Sequence, residues 1–144
     1  MSKLSVAALV VAVAAASSIA TVMAQKQVQK STVFEWSTAD TKPNDWGAVR
    51  QVARTPTPTL DELEIHISTL KPGLSSHAPH QHENEEIIIL KEGTLDTFQS
   101  GVTRHVATGG IIFHASNEPH NVTNVGTTPA TYYVINWKVP GRSK

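Results

Sequence analysis

Residues 73–93, GLSSHAPHQHENEEIIILKEG, decide how the rest of the chain is read. His80, His82 and Glu86 stand at even positions, and an extended strand sends residues i, i+2 and i+6 to one face. Two imidazoles and a carboxylate then converge on one side. Neutral imidazole nitrogens with a hard carboxylate suit a first-row transition metal such as iron, manganese, nickel or zinc. Glu83 and Glu85 also lie beside the histidines, and a surface acidic cluster is the plain alternative, but strand parity selects Glu86. Ile87, Ile88, Ile89 and Leu90 continue the strand with apolar side chains on both faces. That predicts cover on both faces, and with it a homodimer.

Working outward, the start of the chain has a separate character. Lys3, an apolar run over 4–20, and Val22-Met23-Ala24 before Gln25 match a secretory signal peptide cut after Ala24. The run is rich in Ala and Ser and barely reaches the roughly 20 residues a bilayer needs, so an uncleaved anchor is the weaker reading. No Cys follows the run, which excludes a lipoprotein anchor. The expectation is export, to a periplasm or the outside, with no membrane contact after cleavage. Residues 25–144 then form one compact domain with no room for a second.

Twelve basic and twelve acidic residues, of which cleavage removes only Lys3, give no electrostatic reason to expect a nucleic-acid partner. The absence of Cys excludes disulfides and redox chemistry at sulfur. Stability must come from the core, helped by a metal or a second subunit. All seven histidines lie between His66 and His120, and five of them fall in two short stretches. Such clustering marks a site for a small-molecule ligand or substrate.

In chain order, residues 25–32 are polar and linker-like. Residues 33–36 alternate as a short strand would, 42–47 (KPNDWG) read as a turn, and 49–53 as a second strand closed off by Pro56 and Pro58. Together 25–59 form an N-terminal arm packed on the rest or on a partner. From Leu60 the period of two is regular: Leu63, Ile65 and Ile67 alternate with Glu64, His66 and Ser68. Further strands are expected over 94–98, 102–107, 111–113, 120–124 and 131–138, separated by turns rich in Gly. No run has a helical period. Six to eight short strands point to a small antiparallel barrel or sandwich.

Two spacings now resemble the motifs of the cupin family. The first is Gly, HxH, a Glu and a Gly, here Gly73, His80-Gln81-His82, Glu86 and Gly93, with one extra residue between Gly73 and His80. The second runs from Gly109 to His120 and Asn124, with Ala115 where the motif has Pro and Asn117 where it has Gly. Asn is the natural stand-in there because it tolerates the left-handed conformation. The resemblance covers residues 60–138, leaving 139–144 as a tail. It implies an all-β, double-stranded β-helix or jelly-roll barrel that binds one divalent metal, Fe(II), Mn(II), Ni(II) or Zn(II), through His80, His82, Glu86 and His120. Such a ligand set leaves about two open positions on an octahedral ion.

Function is narrowed rather than named. A dioxygenase-like enzyme is one reading, a metal-dependent hydrolase or isomerase another, and a non-catalytic metal- or metabolite-binding module a third. Glu86 and His77 are the candidate catalytic residues. His77, in the loop before Pro79, reads first as a histidine orienting a ligand, with a pocket acid/base or a ligand role as alternatives. His114 either lines the pocket or finishes a strand. His66 and Glu64 occupy the polar face of their strand, for which solvent is the default.

Overall fold

The computed structural model describes residues 27–36 and 40–141; the expected signal peptide and the last three residues lie outside them. Nine strands follow in order: β1 Thr41–Asn44, β2 Gly47–Thr55, β3 Glu62–Leu70, β4 Glu85–Glu92, β5 Thr94–Gln99, β6 Val102–Ala107, β7 Ile111–His114, β8 His120–Asn124 and β9 Ala130–Lys138. They make a six-stranded sheet, β1-β2-β3-β9-β4-β7, and a three-stranded sheet, β6-β5-β8. Every pairing is antiparallel. The expected jelly-roll barrel is the fold observed, and β3 and β5 to β9 sit close to where the sequence placed them.

The first third departs from expectation in two places. Residues 33–36 alternate but do not form a strand. Residues 42–44 were expected in the turn 42–47 and instead belong to β1, leaving only Asp45 and Trp46 to turn. Pro43 is tolerated because β1 is the edge of its sheet. Gly47 N–H donates to Asn44 Oδ1 at 2.9 Å and fixes the hairpin, which carries β2 into register with β3. Before it, Trp36 packs edge-on against Tyr133, with ring centroids 6.2 Å apart, and the Arg50 guanidinium and Lys91 ammonium lie over its ring.

Rows of paired residues cross the inner face of the large sheet, and their chemistry changes along the barrel. At one end Leu70 faces Ala130, then Ser68 faces Tyr132 and Leu90. The next row joins His66, Val134, Ile88 and Ile112. The last joins Glu64, Asn136, Glu86 and His114. Leu70, Leu90 and Leu95 are fully buried at the apolar end. Each such side chain contributes about 1.5–3 kcal/mol by leaving water. The polar end is the one the histidine loops cover.

Gly93, between β4 and β5, shows why the first motif closes on glycine. Its φ is +91°, and a Cβ there would lie 2.6 Å from the Ala130 Cα. Both the conformation and the space exclude a side chain.

Candidate metal centre

Residues 74–80 return beside β8 and extend the smaller sheet. Asn124 N–H donates to Leu74 O at 3.0 Å, Ser75 bridges Thr123, and His80 and His120 exchange backbone hydrogen bonds of 3.1 and 2.8 Å. Five steps of chain on one side face three on the other, so two residues loop out. His77 and Pro79 lie on that bulge. His80 and His82 therefore do not share a strand with Glu86, since β4 begins at Glu85 after bends at Glu83 and Asn84. The side chains converge as parity predicted, but the cause is the pairing of His80 with His120. His82 is tied down separately, by Asn117 N–H donating to its carbonyl at 2.8 Å. Asn117 has φ +60°, the left-handed backbone expected of the residue standing where the motif has Gly.

Three imidazoles share one orientation. His80 Nδ1 lies 3.3 Å from His120 O, His82 Nδ1 2.8 Å from Asn84 O, and His120 Nδ1 2.7 Å from Glu118 O. A carbonyl only accepts, so each Nδ1 carries the proton and each neutral Nε2 keeps a lone pair. His120 Nε2 is buried with no hydrogen-bond partner. A buried polar atom without a partner costs free energy that a metal ion would recover. The ligand atoms of His80, His82 and His120 lie within 4.8 Å of one another, and His82 Nε2 is 3.8 Å from Glu86 Oε2. Atoms about 2.1 Å from one ion sit roughly 3–4 Å apart, so the donor set fits a metal with small adjustments.

Glu86, Glu64, Asn136 and His114 form the innermost polar row. The Glu86 side chain is 12% exposed, whereas Glu83 lies in the bend and Glu85 pairs with Trp137 toward the outer face. His114, buried to 1%, lies with Nδ1 3.1 Å from Glu86 Oε1 and Nε2 3.2 Å from Thr97 Oγ1. Burial alone would raise the Glu86 pKa; the hydrogen bond from His114 and the neighbouring imidazoles outweigh it and hold the carboxyl below its ordinary value. Burial lowers His80 and takes His120 from 6.5 to about 4. The shifts of Glu86, His80 and His120 thus all favour the forms that bind a metal. Glu86, His114 and His120 also lie close enough to hold an ion. His114 would have to release both its partners to join, so the first grouping is favoured.

His114 holds Glu86 in the way that His77 was expected to hold a ligand. His77 is exposed, its Nδ1 3.1 Å from Ala78 O, and it touches the site through its ring, 4.0 Å from that of His80. Strand parity through the pairing of β4 with β7 was the signal available for His114. Solvent was the default for His66 and Glu64, and it is overturned: they face the barrel interior. A cavity of about 320 Å³ is lined by all the ligand candidates together with His66, Tyr132 and apolar Ile88, Val122 and Val134. Burial pushes the Tyr132 hydroxyl up to about 12, so it stays protonated beside Ser76 and Ser68. Asn124, the last residue of the second motif, serves the fold. Buried completely, its Nδ2 donates to Leu70 O and Thr128 O at 2.9 and 2.8 Å, and its Oδ1 accepts from Gly126 N–H.

Two sheets closed over a histidine-rich cavity define a jelly-roll barrel of the double-stranded β-helix class. The chain belongs to the cupin superfamily, as a small member: the family model described as a cupin domain matches residues 66–136. Among solved structures, it is similar to an RmlC-like cupin from Shewanella frigidimarina at 14% identity and TM-score 0.62, covering 79% of this chain and 97% of that one. A sugar phosphate isomerase of the cupin superfamily from Silicibacter pomeroyi aligns at 15% identity and TM-score 0.60, over 76% of this chain and 77% of the other. A predicted oxalate decarboxylase from Thermotoga maritima aligns at 20% identity and TM-score 0.57, over 75% and 100%. These likenesses establish the fold. No curated protein matches the chain by sequence.

Proposed function

We propose that the protein is an exported metalloenzyme that holds one divalent transition metal through His80, His82, Glu86 and His120 and acts on a small molecule in the cavity, as a dioxygenase does. The observation that carries this reading is the shared tautomer of the three imidazoles, with His120 Nε2 buried and unpartnered. A bound ion would supply Lewis acidity and, if it is iron or manganese, electrons for dioxygen chemistry. His114 holds Glu86 in place, while Ile88, Val122 and Val134 give the cavity an apolar wall.

A second reading is proton-transfer chemistry, as in an isomerase or hydrolase. A histidine outside the ligand set, His66, favours it, because it lines the same cavity. Metal analysis on protein purified without added metal, followed by an oxygen electrode and a metabolite panel, separates the cases. Stoichiometric iron with oxygen consumption that Glu86→Gln abolishes supports the dioxygenase. Turnover without oxygen supports the second reading, and binding without turnover a non-catalytic module. Were no metal present, and His80→Ala without effect on metal uptake or Tm, the metal reading would be wrong.

Export follows from the signal-like residues 1–24, and mass spectrometry of protein recovered from the extracytoplasmic fraction tests it by placing Gln25 at the N-terminus. The partner we favour besides a small molecule is a second copy of the chain, through the outer face of the large sheet.

A further inference from the structure

Glu64 and His66 stand two residues apart on the inner face of β3, and the ligand set does not use them. His66 lines the cavity, its Nδ1 buried without a hydrogen-bond partner and 3.5 Å from Glu64 Oε1. That separation is too long for a well-formed hydrogen bond. Glu64 is held from its other oxygen: Asn136 Nδ2 donates to Oε2 at 3.1 Å, and Arg54 Nη2 lies 3.7 Å from it. Oε1 is the atom left for His66, and Nε2 is the His66 nitrogen left to face the cavity.

The pair is also joined to the metal centre. Asn84 Nδ2 donates to Asn136 Oδ1 at 3.3 Å, and the Asn84 carbonyl receives the Nδ1 proton of His82. One chain of contacts therefore runs from His82 through Asn84, Asn136 and Glu64 to His66. Burial lowers the pKa of His66 foremost and Arg54 acts with it, while Glu64 and Glu86 pull the other way; the net effect leaves the ring neutral. A neutral ring with a carboxylate behind its buried nitrogen is built to receive a proton. The loose Nδ1 contact tightens once the ring is charged, because a charge-assisted bond is shorter and stronger.

We propose that His66 is the proton-accepting residue of the cavity, taking a proton at Nε2 from an organic acid, enol or phenol that carries two neighbouring oxygen donors, with Glu64 as the positioning residue behind it. The O–H bond of the ligand breaks, its electron pair stays on that oxygen, and the proton forms the N–H bond at Nε2. This rests on the metal reading, since a ligand with two neighbouring oxygens needs an ion with two open positions to chelate.

The test uses full-length protein loaded with Zn(II) and 4-nitrocatechol as the probe. Calorimetry at pH 7 in two buffers of different ionisation enthalpy counts the protons passed to the buffer on binding. Wild type is expected to pass about one proton fewer than His66→Gln, with zinc content equal in both, and Glu64→Gln to retain less of that proton than wild type. Equal proton counts with zinc and probe bound in each would overturn the proposal and leave the metal reading standing. A wild type that binds neither zinc nor probe overturns both. If His66→Gln does not fold, long-range proton–nitrogen spectra of the wild type decide: saturation with probe should turn the His66 ring doubly protonated, and a ring that stays neutral ends the proposal.

Discussion

His114 Nδ1 lies 3.1 Å from Glu86 Oε1, and at 1% exposure His114 is among the most buried polar side chains of the barrel. Its other nitrogen is engaged by Thr97, so the ring has no lone pair to spare for an ion. It acts by orienting Glu86. His114→Phe keeps the volume and removes the donor, and metal affinity measured by calorimetry should fall about 10- to 100-fold with the stoichiometry unchanged. Loss of all binding would instead make His114 a ligand.

His120 ties metal binding to stability. Its unpartnered Nε2 is a defect in the metal-free barrel and a ligand atom in the loaded one. An ion at 100 times its Kd stabilises the fold by about 2.7 kcal/mol, which for a domain of this size moves Tm by on the order of 10 °C. Thermal melts should show that rise for wild type and none for His120→Ala. A rise that survives in the variant would place the ion elsewhere.

Acid should destabilise the metal-free protein, and the sign follows from the direction of each shift. Unfolded, His120 takes a proton near pH 6.5; folded, it does so only at about 4. Between those values the unfolded chain binds more protons, so stability falls as pH falls, by at most about 3 kcal/mol from this group. His66 and His80, lowered mainly by burial, act in the same direction. Glu86, whose folded pKa is below 4.5, contributes stability above that value and loses it as pH drops through the folded one. Melts in chelator should therefore give a Tm that declines from pH 7 to pH 4. A Tm that increases over that range would contradict the burial of these groups.

How much of this was legible depended on what alternation can carry. A period of two located β3, β5, β7, β8 and β9 closely because each has one face on the interior. It does not say which face points inward. Leu63 and Ile65 looked like the core face of β3, yet the inside holds Glu64, His66 and Ser68, because a barrel built around a polar site reverses the usual choice. The fourth candidate ligand, His120, came from motif spacing, since no local pattern links residues so far apart in sequence. Residues 33–36 show the opposite failure, with alternation present and no strand formed.

Backbone conformation sets two contrasting outcomes. Gly93→Ala forces a Cβ against the Ala130 backbone at a φ of +91°, and should cost more than about 1 kcal/mol, visible as a lower Tm. Asn117→Gly at φ +60° should be tolerated with metal uptake intact, whereas Asn117→Val should lower both stability and metal affinity, because Asn117 N–H holds the His82 carbonyl. Equal melts for the two Asn117 variants would show that the left-handed turn is not what that position supplies.

The reversal of β3 also bears on the partner. Ile88 and Leu90 of β4 are buried, while Ile87 and Ile89 are half-buried on the outer face. There Ile87 pairs with Ile135 and Phe113, and Ile89 with Tyr133 and Ile111, giving one apolar surface across β9, β4 and β7. Trp36 covers it at Tyr133, but Ile111 remains 69% and Phe113 52% exposed. A contiguous apolar patch of this kind on a sheet is an association surface, and a two-fold dimer buries the same patch from both copies. Light scattering should give twice the chain mass for wild type and the single mass for Phe113→Glu, with metal content unchanged because the site faces the opposite side of the sheet. A monomeric wild type at micromolar concentration would remove the dimer from the account.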